Sequence, residues 1–291
     1  MTPRTWIRKS RIWPALVWPI AWSALTPVPA RAQETMNGES ATAPSPGTFV
    51  LKEQVHYIRL KVTDGPYQDR GTIEETLLLS SINVGLRKDL SLSLRLPVAL
   101  RRYEKDRFDR TDQQEGVGDL TLLGKWRFWQ EDSGPLNTSR LALLGGIDVR
   151  TGDNPFTSDA YSPLLGAACT LIRGRSGFNF SAMWKFTTGG NDFPTFPGES
   201  TADFGRGDIS YLYRLYPKEF SSETAGAWYA IGEITGYYET NGDRELFLSP
   251  SLMYEGRTWA LELSLQMPVR EEVEHRPEFD FMVMAGLRFS F

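Results

Sequence analysis

The chain has 291 residues, 41% of them hydrophobic, and a formal net charge of −4. The acidic balance argues against a nucleic-acid partner, which would favour a basic surface. The single cysteine, Cys169, excludes an intramolecular disulfide, and no run of about 20 apolar residues follows the N-terminal segment to form a helical membrane span.

The first 32 residues read as a secretory signal. Arg4, Arg8, Lys9 and Arg11 form a basic start, Ile12 to Leu25 is apolar although Pro14 and Pro19 interrupt it, and Ala30-Arg31-Ala32 fits a cleavage site before Gln33. The segment carries five basic and no acidic residues, so its removal takes the net charge from −4 to about −9. Residues 33–47 are small, polar and without periodicity, which predicts a disordered periplasmic tail.

From Thr48 onward the chain reads as strand and turn. Twelve strands are predicted near 48–63, 72–86, 89–101, 117–130, 138–150, 162–173, 176–188, 204–216, 225–239, 245–254, 257–269 and 278–291. Each is long enough for a tilted crossing of a bilayer, which takes about 9–11 residues. The third sets Leu90, Leu92, Leu94, Leu96, Val98 and Leu100 against Ser91, Ser93, Arg95 and Arg101. The fourth sets Leu120, Leu122, Gly124, Trp126 and Phe128 against Asp119, Thr121, Lys125 and Arg127. The seventh and eleventh alternate as cleanly; the first, second and sixth alternate poorly. Alternation hides the hydrophobicity of such strands, so a mean hydropathy of −0.34 does not separate a membrane barrel from a soluble protein.

The links mostly alternate in length, with exceptions in the medium links around 131–137 and 217–224 and the short one at 240–244. Arg87-Lys88, Gly174-Arg175 and Glu255-Gly256 are hairpin-short, whereas 102–116 and 189–203 are long and polar. A barrel with both termini in the periplasm requires this arrangement. Two sequences recur at matching places: Gly116-Val-Gly-Asp-Leu120 with Gly205-Arg-Gly-Asp-Ile209, and Leu92-Ser-Leu-Arg-Leu-Pro-Val98 with Leu263-Ser-Leu-Gln-Met-Pro-Val269. Proline has no ladder donor, so Pro97 and Pro268 are expected at a rim or bulge. Aromatics such as Trp126, Trp129, Trp228, Tyr254 and Trp259 cluster near strand ends, as an interfacial girdle requires.

The last strand alternates through Phe279, Phe281, Val283, Ala285, Leu287 and Phe289 to Phe291. It resembles the closing strand of bacterial outer-membrane barrels, and that resemblance implies that Phe289 and Phe291 belong to the membrane-insertion signal. Gly-x-Gly-Asp-Leu-x-Leu-x-x-Lys-Trp-Arg-Phe (116–128), Leu246-Phe-Leu-Ser-Pro-Ser-Leu with Trp259-Ala-Leu-Glu, and the terminal Gly-Leu-Arg-Phe-Ser-Phe resemble the family named for the MetA pathway of phenol degradation. The resemblance covers roughly 48–291. It implies an outer-membrane transporter-like barrel and a link to aromatic compounds, and it carries over no ligand-binding residue.

Catalytic and metal motifs are sparse. His56 lies in a poorly alternating strand and His275 in a charged loop, and no G-x-S-x-G occurs. Asp148, Asp153 and Asn154, or Glu271, Glu272, Glu274 and His275, match no known metal cage. Neither Gly-x-Gly-Asp copy opens a helix, so no phosphate site is supported. No cofactor and no metal is expected.

Alternation aims Arg95, Asp119, Lys125, Arg127, Asp148, Lys185, Asp208, Arg214, Glu262, Asp280 and Arg288 away from lipid. A charge on the lipid face would cost about 2–4 kcal/mol near the midplane. The expectation is therefore an all-β, single-domain, up-and-down transmembrane barrel of about twelve strands over 48–291. It would pass a small solute of aromatic or hydrophobic character by passive diffusion, with Phe193 and Phe196 of the 189–203 loop as gate candidates. The alternatives are a non-conducting structural or adhesion barrel acting through its loops, and a barrel lipase or acyltransferase. Expected partners are outer-membrane lipid, the barrel-assembly machinery and the solute. The sequence sets neither the solute nor the oligomeric state.

Overall fold

The computed structural model describes residues 35–62, 71–105, 110–134, 136–191, 194–221 and 223–291. Thirteen antiparallel segments follow in order: β1 (Phe49–Val62), β2 (Gly71–Gly85), β3 (Leu90–Lys105), β4 (Arg110–Val117), β5 (Leu120–Asp132), β6 (Asn137–Val149), β7 (Ser162–Arg173), β8 (Ser176–Lys185), β9 (Phe204–Tyr216), β10 (Gly226–Glu239), β11 (Arg244–Gly256), β12 (Trp259–Glu272) and β13 (Glu278–Ser290). No helix occurs among the described residues. Every segment except β4, which pairs with β3 alone, has a partner on both sides, and β1 pairs with both β2 and β13, so the sheet closes on itself. Closure of the other twelve segments leaves their ladders without a free edge, which is the condition for crossing a bilayer with strands.

The thirteen segments make twelve wall positions, because β4 and β5 both pair with β3. The break between them, Gly118-Asp119, lies opposite Leu96-Pro97. Pro97 has no N–H to donate toward that neighbour, although its carbonyl accepts from Gly118 N at 2.9 Å. A Cβ on Gly118 would lie 2.7 Å from the Pro97 ring. The ladder therefore opens at Pro97 and resumes above it as β4.

That resumption corrects the reading of 102–116 as a long polar link. β3 continues to Lys105 and pairs with β4 from Arg110 to Val117. Above the bilayer a strand meets water on its outer face, so the apolar half of its alternation disappears and its sequence reads as loop.

The lipid face is apolar. Leu92, Leu94, Leu96, Val98 and Leu100 are all exposed along β3, with Trp126, Phe180, Leu263 and Phe289 in the same belt. A water-soluble protein does not expose a continuous apolar belt on this scale. Aromatic pairs gather at the end carrying the short turns: Trp228 with Tyr254 at 5.1 Å, Tyr254 with Trp259 at 5.1 Å, and Phe49 with Phe291 at 6.3 Å. These are the amphipathic rings of an interfacial girdle, and the fold is that of an outer-membrane β-barrel.

One facing assignment is reversed by a bulge. The β1–β13 register skips Asp280, between the pairs Arg59–Phe281 and Leu60–Phe279. A bulge adds one residue and flips the parity beyond it. Phe279 therefore enters the barrel, where it is buried, while Asp280 turns outward. There Asp280 bridges Arg59 at 3.6 Å and Lys61 at 2.6 Å, both on the outer face of β1.

The largest departure concerns the segment expected to be a disordered tail. Residues from Thr35 enter the barrel, and Thr35, Met36, Ser40, Ala41 and Thr42 are buried. A polar segment cannot form a core of its own in water. Inside a polar lumen the requirement changes, because each backbone group needs only a partner. The wall supplies partners: Ala41 N donates to Thr170 Oγ1 at 2.9 Å, Glu39 N to Ser181 Oγ at 3.2 Å, and Gln54 Nε2 to the Met36 carbonyl at 3.1 Å.

Candidate functional site

The site is the lumen itself, built at three heights. Midway, the inserted segment is clamped by charge. Alternation on β3 and β5 brings Arg95 and Lys125 to the interior, and both reach the Glu39 carboxylate, Lys125 Nζ at 3.1 Å and Arg95 in a close hydrogen bond. Across the lumen Glu233, fully buried on β10, accepts from Thr35 Oγ1 at 2.9 Å, Gly38 N at 2.8 Å and Asn37 Nδ2 at 3.0 Å. Glu262 accepts from Met36 N at 3.2 Å. Arg206 donates to the Asn37 carbonyl at 2.5 Å and is braced by Asp208, which also accepts from Thr235 and Ser181.

Toward the outer mouth the lumen turns apolar. Ile58, Leu60, Ile73, Phe247, Phe279, Met282 and Met284 form one buried cluster with Met36. Phe196, from the 186–203 loop, dips onto it with its ring 6.0 Å from that of Phe279. Arg101 holds the loops down. It is 1% exposed and donates from Nε to Glu75 at 2.5 Å and from Nη1 to Thr195 at 2.9 Å. Its guanidinium lies 4.8 Å from the Phe156 ring and 5.4 Å from Phe196, so one cation engages aromatic faces from two loops. A second tie joins Arg276 to Glu239 at 2.9 Å and to Glu245 at 2.5 Å, with Glu239 also accepting from Gly198 N at 3.1 Å.

At the strand break, Asp119 gathers the 150–161 loop. Its carboxylate accepts from Thr151 N, Gly152 N, Thr157 Oγ1, Ser158 N and Ser158 Oγ at 2.7–3.2 Å. Burial alone would raise its pKa, but the bonds from Ser158, Thr157 and Gly152 hold it below the ordinary aspartate value. Its stabilising contribution is thus present above the unfolded pKa and fades only as pH falls through the lower folded one. Asp119→Ala should loosen this loop by about 1–3 kcal/mol, the cost of leaving donors unpaired. The readout is trypsin cleavage after exposed Arg150, which should accelerate; an unchanged rate would count against the latch.

The remaining sequence candidates are dispersed. Asp148 and Lys185 pair inside at 2.9 Å. Arg288 meets Glu255 at 3.3 Å, and Arg214 stacks on Phe220 at 4.1 Å, both near the periplasmic mouth. Arg127 donates to the Lys88 carbonyl at a periplasmic turn. Asp280 lies outside, as described. Phe289 and Phe291 are on the outer surface, and Phe193 lies outside the described residues. His275 Nδ1 is 2.9 Å from Asp243 Oδ1, which also accepts from Glu274 N and so shapes the loop. Sequence reasoning placed Arg101 on the inward face and did not single it out. Its parity with Arg95 was the available signal; the aromatic partners come from loops 50 or more residues away.

The sequence matches the model of a family described as "Putative MetA-pathway of phenol degradation" over residues 44–284. The fold is similar to the COG4313 outer membrane channel from Pseudomonas putida F1, at 14% identity over 89% of this chain and 100% of that one, with a TM-score of 0.59. It is also similar to the β domain of the Bordetella autotransporter BrkA, at 10% identity over 84% of this chain and 100% of that one, with a TM-score of 0.52. No curated protein matches the sequence.

Proposed function

Given that the chain belongs to the Putative MetA-pathway of phenol degradation family, we propose that it is an outer-membrane channel passing a small aromatic or hydrophobic solute by passive diffusion. The observation that carries this reading is the apolar cluster beneath the outer loops. Phe247 and Phe279 meet edge-on at 5.0 Å, Tyr237 lies 5.3 Å from Phe247, and Met282 and Met284 complete the surface. Two other buried apolar clusters occur in the lumen, but this one brings the rings of Phe247, Phe279 and Tyr237 together with methionines, so it is a place where an apolar ring gains burial and ring contacts. Phe196 occupies it in the closed state, and a solute ring would take that place when the loop lifts. The family description and the likeness to a COG4313 channel support the same class of activity.

Export by cleavage after Ala32 and insertion guided by Phe289 and Phe291 belong to this proposal. The filled lumen also suits a non-conducting structural barrel, so conduction and solute class are tested separately. Purified protein in planar bilayers should conduct ions. Saturation-transfer NMR should detect toluene or phenol on the detergent-solubilised barrel, with glucose silent and the Phe279→Ala signal reduced. A folded preparation without conductance would favour the structural reading. Equal transfer to glucose and toluene would remove the solute class.

A further inference from the structure

A small cavity lies between the inserted segment and the β1–β3 wall, next to the apolar cluster, with Met36 common to both. Its volume is about 110 Å³. Lys52 and His56 of β1, Arg95 of β3 and Arg206 of β9 line it, together with Asn37, Gly38 and Glu39. Three cationic side chains thus face one carboxylate, and that carboxylate is already shared by Arg95 and Lys125. Three further lumen acids stand nearby: Asp208 braces Arg206, Glu233 attracts Arg206 and accepts from Gly38 N, and Glu262 attracts Lys52. None of the three lines the cavity. His56 is 9% exposed, and its Nε2 is buried without a hydrogen-bond partner. A buried polar nitrogen is ordinarily satisfied, by protein or by something bound.

We propose that this cavity is a binding site for a small monovalent anion, a carboxylate of formate or acetate size or a halide. The anion ties the inserted segment to the wall. Size sets the class: a water takes about 30 Å³, and cavities that hold benzene are near 150 Å³. The site therefore admits an anion of a few heavy atoms and excludes an aromatic ring. Charge sets the sign, since Lys52, Arg95 and Arg206 converge on a volume whose one carboxylate is engaged. His56 Nε2 supplies a neutral donor in the tautomer that protonates it. Lys52 Nζ also donates to the Thr35 carbonyl at 3.3 Å, and Arg206 to that of Asn37. An anion held here would thus contact the two cations that grip the segment, and binding would stabilise the docked state by mass action.

The test uses the mature full-length barrel in detergent and ¹³C-formate as the probe. Ionic strength is held constant with gluconate, which is too large for the cavity. The formate line should broaden on addition of protein. The broadening should fall at least by half in Lys52→Gln and in His56→Phe, which removes the orphan nitrogen with little change in shape, and persist in Lys52→Arg. Heat-dependent migration on gels reports folding of each variant. If Lys52→Gln does not fold, His56→Phe decides alone. Equal broadening by wild type and His56→Phe would place formate on surface arginines and overturn the proposal, as would no broadening by the folded wild type. The measurement involves no flux, so its failure is distinct from failure of the channel reading.

Discussion

Replacing Glu39 by lysine is expected to open the barrel. Through the Glu39 side chain the inserted segment meets both Arg95 and Lys125, and its carboxylate lies well inside the lumen. Truncating one partner of a buried, hydrogen-bonded charge pair costs about 2–5 kcal/mol. Lysine adds repulsion from two neighbouring cations. At roughly 1.4 kcal/mol per factor of ten, even the lower figure raises the undocked population about thirtyfold. The remaining anchors, on Glu233, Glu262, Thr170, Ser181, Gln54, Arg206 and Lys52, are hydrogen bonds each contributing about 0.5–1.5 kcal/mol, or up to about 3 where a charged group takes part. Single-channel recording should show a several-fold rise in conductance or open time for Glu39→Lys, and a smaller rise for Glu39→Gln. If both folded variants conduct as the wild type does, the segment does not control the lumen.

Arg101→Ala is expected to release the outer loops. The change leaves Glu75, 3% exposed, facing its former partner's space. Removal of one member of a buried ion pair costs about 3–5 kcal/mol. It also removes the cation from the Phe156 and Phe196 faces, at about 0.5–2 kcal/mol for such contacts. The barrel strands keep their ladders, so the loss concentrates in the two loops that Arg101 joins, which Asn191 Nδ2 also links by a 3.2 Å bond to the Pro155 carbonyl. Cleavage by a glutamate-specific protease after Glu199 should become rapid in the folded variant, and saturation transfer to toluene should increase as Phe196 leaves the aromatic cluster. Arg101→Lys keeps the charge and loses the planar fork, so an intermediate rate is expected. Resistance at Glu199 in folded Arg101→Ala would assign closure to Arg276 and Glu239 instead.

The distribution of these effects follows what each level of structure decides. Period-two alternation is a local property, and residues such as Leu92 to Leu100 on β3 determined by themselves that the chain forms strands with one lipid face. With the short and long links in turn, it also determined an up-and-down barrel of twelve wall positions. Parity then placed Arg95, Lys125, Glu262 and Arg288 inside, because a charge on the lipid face is too costly to leave there. Pro97 marked its own irregularity, since a missing N–H is visible in the residue type.

The tertiary structure decided whatever depended on an extra residue or a distant partner. The bulge at Asp280 inverts Phe279 and Asp280, and the apolar spacing of β13 gives no sign of it because Phe279 suits lipid and core equally. Residues 33–47 carry the composition of a disordered tail, and in water that reading is physically sound. The order of the part from Thr35 onward comes from Glu233, 198 positions beyond Thr35, and from Thr170, 129 positions beyond Ala41. Composition records whether a segment can bury itself; it does not record that a polar lumen will bury it. Arg101 shows the same limit: its inward face was readable from alternation, whereas its function as a tie depends on Phe156 and Phe196, which only loop closure brings to one guanidinium.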